Sequence, residues 1–234
     1  MHFEQVRHKN MPGETKEPTK NEYTEEGLIG RLNEHLRKMG LDATLIPPTS
    51  PEAVGPKLTK GPLSSGRSLG CIKIRNRNLD LIQIEGPEDM DAGRLTYLYH
   101  FIVRTDFEGL EHALKAEIKP ITRGFISKKT IDFKWDGGEL ARRLNLDSQL
   151  KSLLLENGLD QLPTVEVATD KANKCVRITK TPTPRWSTGP RERGGPTVLL
   201  AVERKFPTRE EFEAYDRIAH HIRSMRKSSD LVTH

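Results

Sequence analysis

The stretch Cys71-Ile72-Lys73-Ile74-Arg75 alternates apolar and basic side chains, and Leu79-Asp80-Leu81-Ile82-Gln83-Ile84 follows it after Asn76-Arg77-Asn78. An alternation with a period of two is typical of a strand that buries one face. A short polar segment between two such runs predicts a hairpin turn. The stretch therefore predicts two paired antiparallel strands.

Helical periodicity appears on the N-terminal side of this hairpin. Residues 24–39 place apolar side chains at spacings of three and four: Ile29, Leu32, Leu36 and Met39. Gly40 follows at the position that favours a left-handed helix end. An extended run at 41–46 leads into a Pro/Gly-rich loop, 47–66, whose length is unusual inside a compact domain and is typical of functional or disordered segments.

The pattern continues on the C-terminal side. Residues 95–103 (LTYLYHFIV) predict a third strand. The next run predicts a helix with one apolar face: Phe107, Leu110, Leu114 and Ile118.

The second part of the chain repeats this order. Strands are predicted at 130–135, 164–167, 175–178 and 197–202. A helical stretch at 139–156, with capping-box spacing between Asp136 and Glu139, is expected to break near 145–147. Thr208 and Glu211 form a second capping box, which opens a helix with one apolar face: Phe212, Tyr215, Ile218, Ile222 and Met225.

Short matches support an internal duplication. Met39-Gly40-Leu41-Asp42 matches Asn157-Gly158-Leu159-Asp160, and Cys71-Ile72-Lys73-Ile74 matches Cys175-Val176-Arg177-Ile178. We expect an α+β fold of two related helix–three-strand–helix halves with antiparallel sheet, at 23–119 and 120–228, after a disordered lead-in (1–22) and before a frayed tail (229–234). Chance remains the alternative, because matches of four residues are common. The unshared parts, where we expect a specific function, are the 47–66 loop, the 130–135 strand with its following helix, and the 181–196 loop.

The order of helix, three strands and helix resembles that of bacterial secretion chaperones and related small adaptor folds. The resemblance covers the order of elements and has no motif behind it.

Composition narrows the class of protein. No apolar run approaches the length of a membrane helix, and the first 23 residues lack the apolar core of a secretory signal. Two cysteines do not make a disulfide framework, so we expect a reduced cytoplasmic protein, although one bridge between Cys71 and Cys175 stays open. Residues 1–117 hold 16 Lys/Arg and 18 Asp/Glu (net −2), and residues 118–234 hold 22 and 15 (net +7), which sum to +5. The basic second half mildly favours a polyanionic partner.

The loop at 181–196 (TPTPRWSTGPRERGGP) is the most suggestive segment for a site, because an aromatic ring among guanidinium groups can stack a base and hold phosphates. Its candidate residues for binding nucleic acid or another anion are Arg185, Trp186, Arg191 and Arg193. Lys128 and Lys129, with Arg204 and Lys205, extend this basic set. The alternative is a solvated loop whose tryptophan packs on its own domain.

Other clusters predict no site. Glu88-Asp89-Met90-Asp91 lacks the later glutamate of a calcium loop, and adjacent helical histidines, His220 and His221, point about 100° apart. His100 and His112 are expected to be ordinary core or surface histidines. No nucleotide-binding, hydrolase or zinc motif occurs, so we assign no metal, no cofactor and no catalytic residue. An enzyme is less expected but stays open, because many catalytic sites are assembled from scattered residues.

Three functions remain as hypotheses. The first is a non-catalytic binding or adaptor module whose partner is a protein or a second copy of the chain, with no membrane contact. The second is nucleic-acid binding through the basic second half. The third is an enzyme with a site between the two halves, which a pocket with convergent carboxylates or His100 would favour.

Overall fold

A computed structural model describes residues 25–55, 66–87, 98–105, 107–124, 129–156, 158, 164–181 and 206–229. These residues form four helices and eight strands. The helices are α1 (Glu25–Lys38), α2 (Glu139–Asn145), α3 (Ser148–Leu155) and α4 (Arg209–Ser229). The strands are β1 (Ala43–Ile46), β2 (Gly66–Ile74), β3 (Leu81–Pro87), β4 (Leu98–Val103), β5 (Ala116–Arg123), β6 (Lys129–Gly137), β7 (Thr164–Asp170) and β8 (Cys175–Thr181).

All eight strands pair antiparallel in one sheet, in the order β1-β2-β3-β4-β8-β7-β5-β6. The predicted mixed α+β class with an antiparallel sheet is therefore confirmed. β4 and β8 join the parts of the sheet that come from the two predicted halves. The predicted boundary at residues 119 and 120 falls inside β5, and the fold does not confirm the internal duplication.

One face of the sheet carries the main core. Alternate residues of the strands, such as Ile82, Phe101 and Ile178, pack with apolar residues of all four helices in one cluster. The other face holds a smaller cluster, in which Val54 covers Cys71 and Cys175. Both cysteines are buried and free, and burial raises the pKa of the Cys175 thiol to about 11.

Several local predictions are confirmed. Gly40, at φ +84°, ends α1, where the Leu41 amide donates to the Leu36 carbonyl. The capping box of α4 is present, because the Glu211 amide donates to Thr208 and the Thr208 amide donates to the Glu211 carboxylate. The predicted break at 145–147 separates α2 from α3.

The helix predicted through Phe107, Leu110, Leu114 and Ile118 is wrong. Residues 107–114 form turns, and β5 begins at Ala116. Alternation of Ala116 and Ile118 with Glu117 and Lys119 fits a strand, and Pro120 disfavours a helix at this point. Sheet pairing therefore prevails over the helical spacing.

The predicted capping box at Asp136 is also wrong. Gly138 is the N-cap of α2, without a side-chain cap. A Cβ atom on Gly138 would lie 2.1 Å from the His112 carbonyl oxygen, so the close passage of two backbones decides this helix start.

Other predictions fall outside the described residues. They are the lead-in at 1–22, residues 95–97 of the predicted third strand, the strand at 197–202, the end of the frayed tail and most of the basic loop at 181–196. Within the described helices, none is long and apolar enough to cross a membrane.

Candidate functional site

Of the residues predicted to bind nucleic acid, Lys129 is the one that the structure places. It is the first residue of β6, opposite Arg123 at the end of β5. Lys128 lies outside the described residues, as do Arg185, Trp186, Arg191, Arg193, Arg204 and Lys205. The described part of the chain therefore tests the predicted patch only at the β5–β6 hairpin.

This hairpin extends past its neighbour in the sheet. β5 pairs with β7 only at Ala116 and Glu117. Its pairing with β6 runs on to Arg123. We call residues 119–134 the arm; the structure describes 119–124 and 129–134 of it. Residues 120–124 are all exposed, so the distal part of the hairpin projects from the sheet.

The arm carries an excess of positive charge. It holds one acidic residue, Asp132, and five basic ones: Lys119, Arg123, Lys128, Lys129 and Lys134. Its net charge is therefore +4, against +5 for all 234 residues. A local excess of this size on a projecting element creates a positive potential that attracts anions.

Two of these cations are not neutralised by the described residues around them. Lys119 pairs with Glu117 at 2.6 Å between Nζ and Oε2. Arg123 and Lys134 are exposed, and neither has an ion pair within the described ranges. The one carboxylate of the arm is itself engaged, because Lys151 donates to Asp132 and lowers the pKa of that carboxyl.

Exposed apolar side chains lie among the cations. Ile121 is 38% exposed and Ile131 is 47% exposed, and Pro120 beside them is also exposed. The register shifts here: Ile121 faces Asp132 and Thr122 faces Thr130, which leaves Ile131 as an extra residue. A bulge of this kind locally twists a strand and changes the direction of a side chain.

The outer edge of β6 is partly closed to further strand pairing. The Asn145 side chain accepts from the Trp135 amide and donates to the Trp135 carbonyl, both at 2.8 Å. The Phe133 amide donates to the Asp132 carboxylate. Such contacts use up the backbone groups that another strand would need at this edge.

The base of the hairpin is firmly held. Phe133 and Trp135 are buried in the main core, where α2 packs on β6. A Cβ atom on Gly137, at φ +140°, would lie 2.3 Å from the Lys115 carbonyl oxygen, so the two backbones pass in close contact. The exposed arm therefore extends from a rigid support.

A second polar cluster lies where the two predicted halves meet. His100 on β4 is completely buried, with Nε2 at 3.0 Å from a Glu85 carboxylate oxygen and Nδ1 at 3.0 Å from the Thr179 hydroxyl. Both ring nitrogens have partners, so this histidine has the contacts of a satisfied core residue.

Arg177 continues the same buried surface and is 1% exposed. It donates to the Asp170 carboxylate at 2.6 Å, to the Gln83 side chain, and to the Gly55 carbonyl at 2.6 Å. Gln83 also donates to the Val54 carbonyl. These contacts fix the segment before residue 56 over the sheet, which indicates a structural role.

The described residues offer no group of three His, Cys, Asp or Glu side chains that could hold a metal ion. His221 bonds Asp147, and its ring centroid lies 6.0 Å from that of His220. Compared with the buried His100 and Arg177 clusters, the arm has exposed cations beside exposed apolar side chains.

Sequence reasoning included Lys128 and Lys129 as an extension of a different loop, but it missed Lys119, Arg123 and Lys134 and the two isoleucines. The charge of the arm was readable as a local count over 16 residues. Its projection was not, because that depends on where pairing with β7 ends. Comparisons of this chain with protein-family models, with curated proteins and with solved structures find no match.

Proposed function

We propose that this chain is a non-catalytic binding module that holds nucleic acid with the arm. The observation that carries the proposal is the concentration of a net charge of +4 on one projecting, exposed hairpin. Phosphate contacts from lysine and arginine supply most of the affinity of proteins for nucleic acids. Proteins with two-stranded ribbons bind duplexes through the major or the minor groove.

The contacts of the arm favour nucleic acid over a protein partner. At the arm, strand addition by a protein or by a second copy would need the free edge of β6, and Asn145 and Asp132 occupy backbone groups there. Arg123 and Lys134 are exposed and have no ion pair among the described residues, so they are available to an anion without such pairing. Phosphates supply such anions.

Burial of the second polar cluster supports binding rather than catalysis. His100 has no exposed surface, and its ring nitrogens are engaged by Glu85 and Thr179. A general base must reach the proton that it abstracts. An enzyme with a site between the halves remains the competing proposal for this cluster.

The predicted duplication is consistent with this assignment. β6 contains the 130–135 strand, which the two matching parts of the sequence do not share. If the halves arose by duplication, the arm was gained by one of them, and a specific function is expected in such an addition.

The test is a salt titration of binding to a fluorescent DNA duplex of about 20–30 base pairs. The probe is used with the full chain and with the double variant Arg123→Gln/Lys134→Gln. The slope of log K against log salt should fall in magnitude by about 0.9 for each phosphate that the variant no longer neutralises.

Arg37→Gln/Lys38→Gln is the matched control, because these exposed residues of α1 carry the same charge away from the arm. It should leave the slope nearly unchanged. No binding at about 50 mM salt, or equal effects of the two variants, would overturn the proposal.

A further inference from the structure

Two exposed isoleucines lie among the cations of the arm, and phosphate contacts would not use them. We infer that the arm enters the minor groove of double-stranded DNA and inserts Ile121 and Ile131 between base pairs, kinking the duplex. The inference rests on the proposed function and names its substrate and its mode of binding.

The first support is the position of the two isoleucines. At 38% and 47% exposed, they belong to the four most exposed large hydrophobic residues among those described, and both lie within the arm, whose net charge is +4. Apolar wedges flanked by lysine and arginine are the side chains with which minor-groove proteins unstack a base step.

The second support is the bulge. It leaves Ile131 out of the regular pairing between Ile121 and Asp132 on one side and between Thr122 and Thr130 on the other. A regular ribbon would keep the side chains aligned with the ladder. The extra residue gives the exposed end of the hairpin a local twist, which suits insertion into a groove.

The third support concerns the choice between a duplex and a single strand. Single strands are held mainly by bases stacked on exposed aromatic rings. Of the two aromatic residues of the arm, Phe133 is buried and Phe125 lies outside the described residues. The residues that the structure describes as exposed and apolar here, Pro120, Ile121 and Ile131, are of the wedge-forming types.

The fourth support is mechanical. A wedge can bend DNA only if the element behind it resists the opposing force. Asn145 clamps the Trp135 backbone, and Gly137 lets the hairpin pack directly on the Lys115 backbone. The arm is thus held at its base by packed backbone rather than by a free linker.

The experiment measures bending by energy transfer between dyes at the two ends of a duplex that carries one central TA step. Wild-type protein should bend this DNA by roughly 20–90°. The double variant Ile121→Ser/Ile131→Ser should bind with nearly the same salt slope but should leave the duplex straight. Leu45→Ser is the matched control, because Leu45 is 41% exposed on β1 at the opposite edge of the sheet, and it should bend DNA like the wild type.

The outcomes separate the two proposals. Wild-type binding without bending, bending retained by the isoleucine variant, or a straight duplex with the leucine control would overturn the wedge and leave the proposed function in place. Tighter binding of a single strand or of an RNA duplex of the same sequence would overturn the choice of DNA duplex. Failure of the wild type to bind any of these probes would overturn both. A urea unfolding midpoint for each variant confirms that the compared proteins are folded.

Discussion

Two long hairpins of the same sheet are treated differently by the rest of the molecule. The turn between β2 and β3 is fastened to α4, whereas the arm between β5 and β6 projects with exposed cations and isoleucines. Asp216 of α4 accepts from the Asn78 amide at 2.7 Å, from the Leu79 amide at 3.0 Å and from the Asn78 side chain at 2.9 Å. Arg223 adds bonds to the Asn78 carbonyl and to Asp80.

The difference shows where this fold is stabilised and where it is left accessible. α4 holds the β2–β3 turn with one part of its surface. With another part it holds the α2–α3 junction, where Arg217 and His221 bond Asp147. That junction lies next to the base of the arm, since α2 packs on β6. The fold thus fixes the base of the arm, and Lys151 of α3 holds the arm at Asp132, but residues 122–124 have no such side-chain contacts to a helix among the described residues.

The largest effect on stability is expected from Asp216→Ala. Asp216 is buried, and its removal leaves the Asn78 and Leu79 amides without their acceptor. An unsatisfied buried donor costs about 1–3 kcal/mol, so the free energy of unfolding should fall by about 3 kcal/mol. Urea unfolding monitored by circular dichroism measures it.

Glu213→Ala is the control on the same helix. Its carboxylate pairs with Arg77 at 3.2 Å, and both side chains are about a third exposed. Exposed pairs contribute about 0–1 kcal/mol. If both variants reduced stability equally, the clamp on the β2–β3 turn would not depend on the buried acceptor.

A smaller and pH-dependent effect is expected at the α2–α3 junction. Burial opposes ionisation of Asp147, but bonds from Arg217, His221 and the Leu150 amide outweigh it and lower its pKa from 3.8 to about 2. A lowered pKa stabilises the fold above the unfolded-state value, and this contribution is lost as the pH falls from about 4 to 2. At 1.36 kcal/mol per pKa unit, the contribution is about 2 kcal/mol.

Urea unfolding of wild type and Asp147→Asn across this pH range measures the effect. The variant should lack most of the acid-induced loss of stability that this carboxylate causes, because asparagine caps the helix without a charge. Asp132→Asn, whose pairing with Lys151 is more exposed, should change the pH dependence less. If Asp147→Asn lost as much stability between pH 4 and pH 2 as the wild type does, the Asp147 carboxylate would not be the source of this pH dependence.

The clamped hairpin was predictable from the sequence, and the arm was predictable only in part. Alternation in Cys71 to Arg75 marks a strand, because successive side chains of a strand point to opposite faces of the sheet, and the short polar segment after it marks the turn to the next strand. The Thr208–Glu211 capping box and the break after Asn145 depend on neighbours within a few residues, and both are confirmed. Local chemistry decides these features, so a local pattern suffices to predict them.

Longer-range features were missed for a physical reason. Residues 107–118 have both helical spacing and, at their end, strand alternation, and the partners that select the strand are β6 and β7. The pairing of β4 with β8 joins residues far apart in the chain, and the periodicity of apolar residues within one segment does not predict such a pairing. The arm is exposed because β5 continues to Arg123, well past the last residue that pairs with β7. The pairing of strands that are distant in sequence therefore decides this exposure.

The smallest effect on stability is expected from the variants with the largest effect on binding. Arg123→Gln/Lys134→Gln and Ile121→Ser/Ile131→Ser change exposed side chains outside the main core. Exposed substitutions of this kind change the free energy of unfolding by about 0.5 kcal/mol or less.

Amide hydrogen exchange of the wild type should show the same contrast between the two hairpins. The amides of residues 121–124 should exchange faster than those of Asn78 and Leu79, because exposed backbone that is paired on one side opens at a low free-energy cost. A loss above about 1 kcal/mol in the isoleucine variant would mean that these side chains support the fold. The arm would then resemble the clamped hairpin, and its exposed isoleucines would no longer indicate a partner.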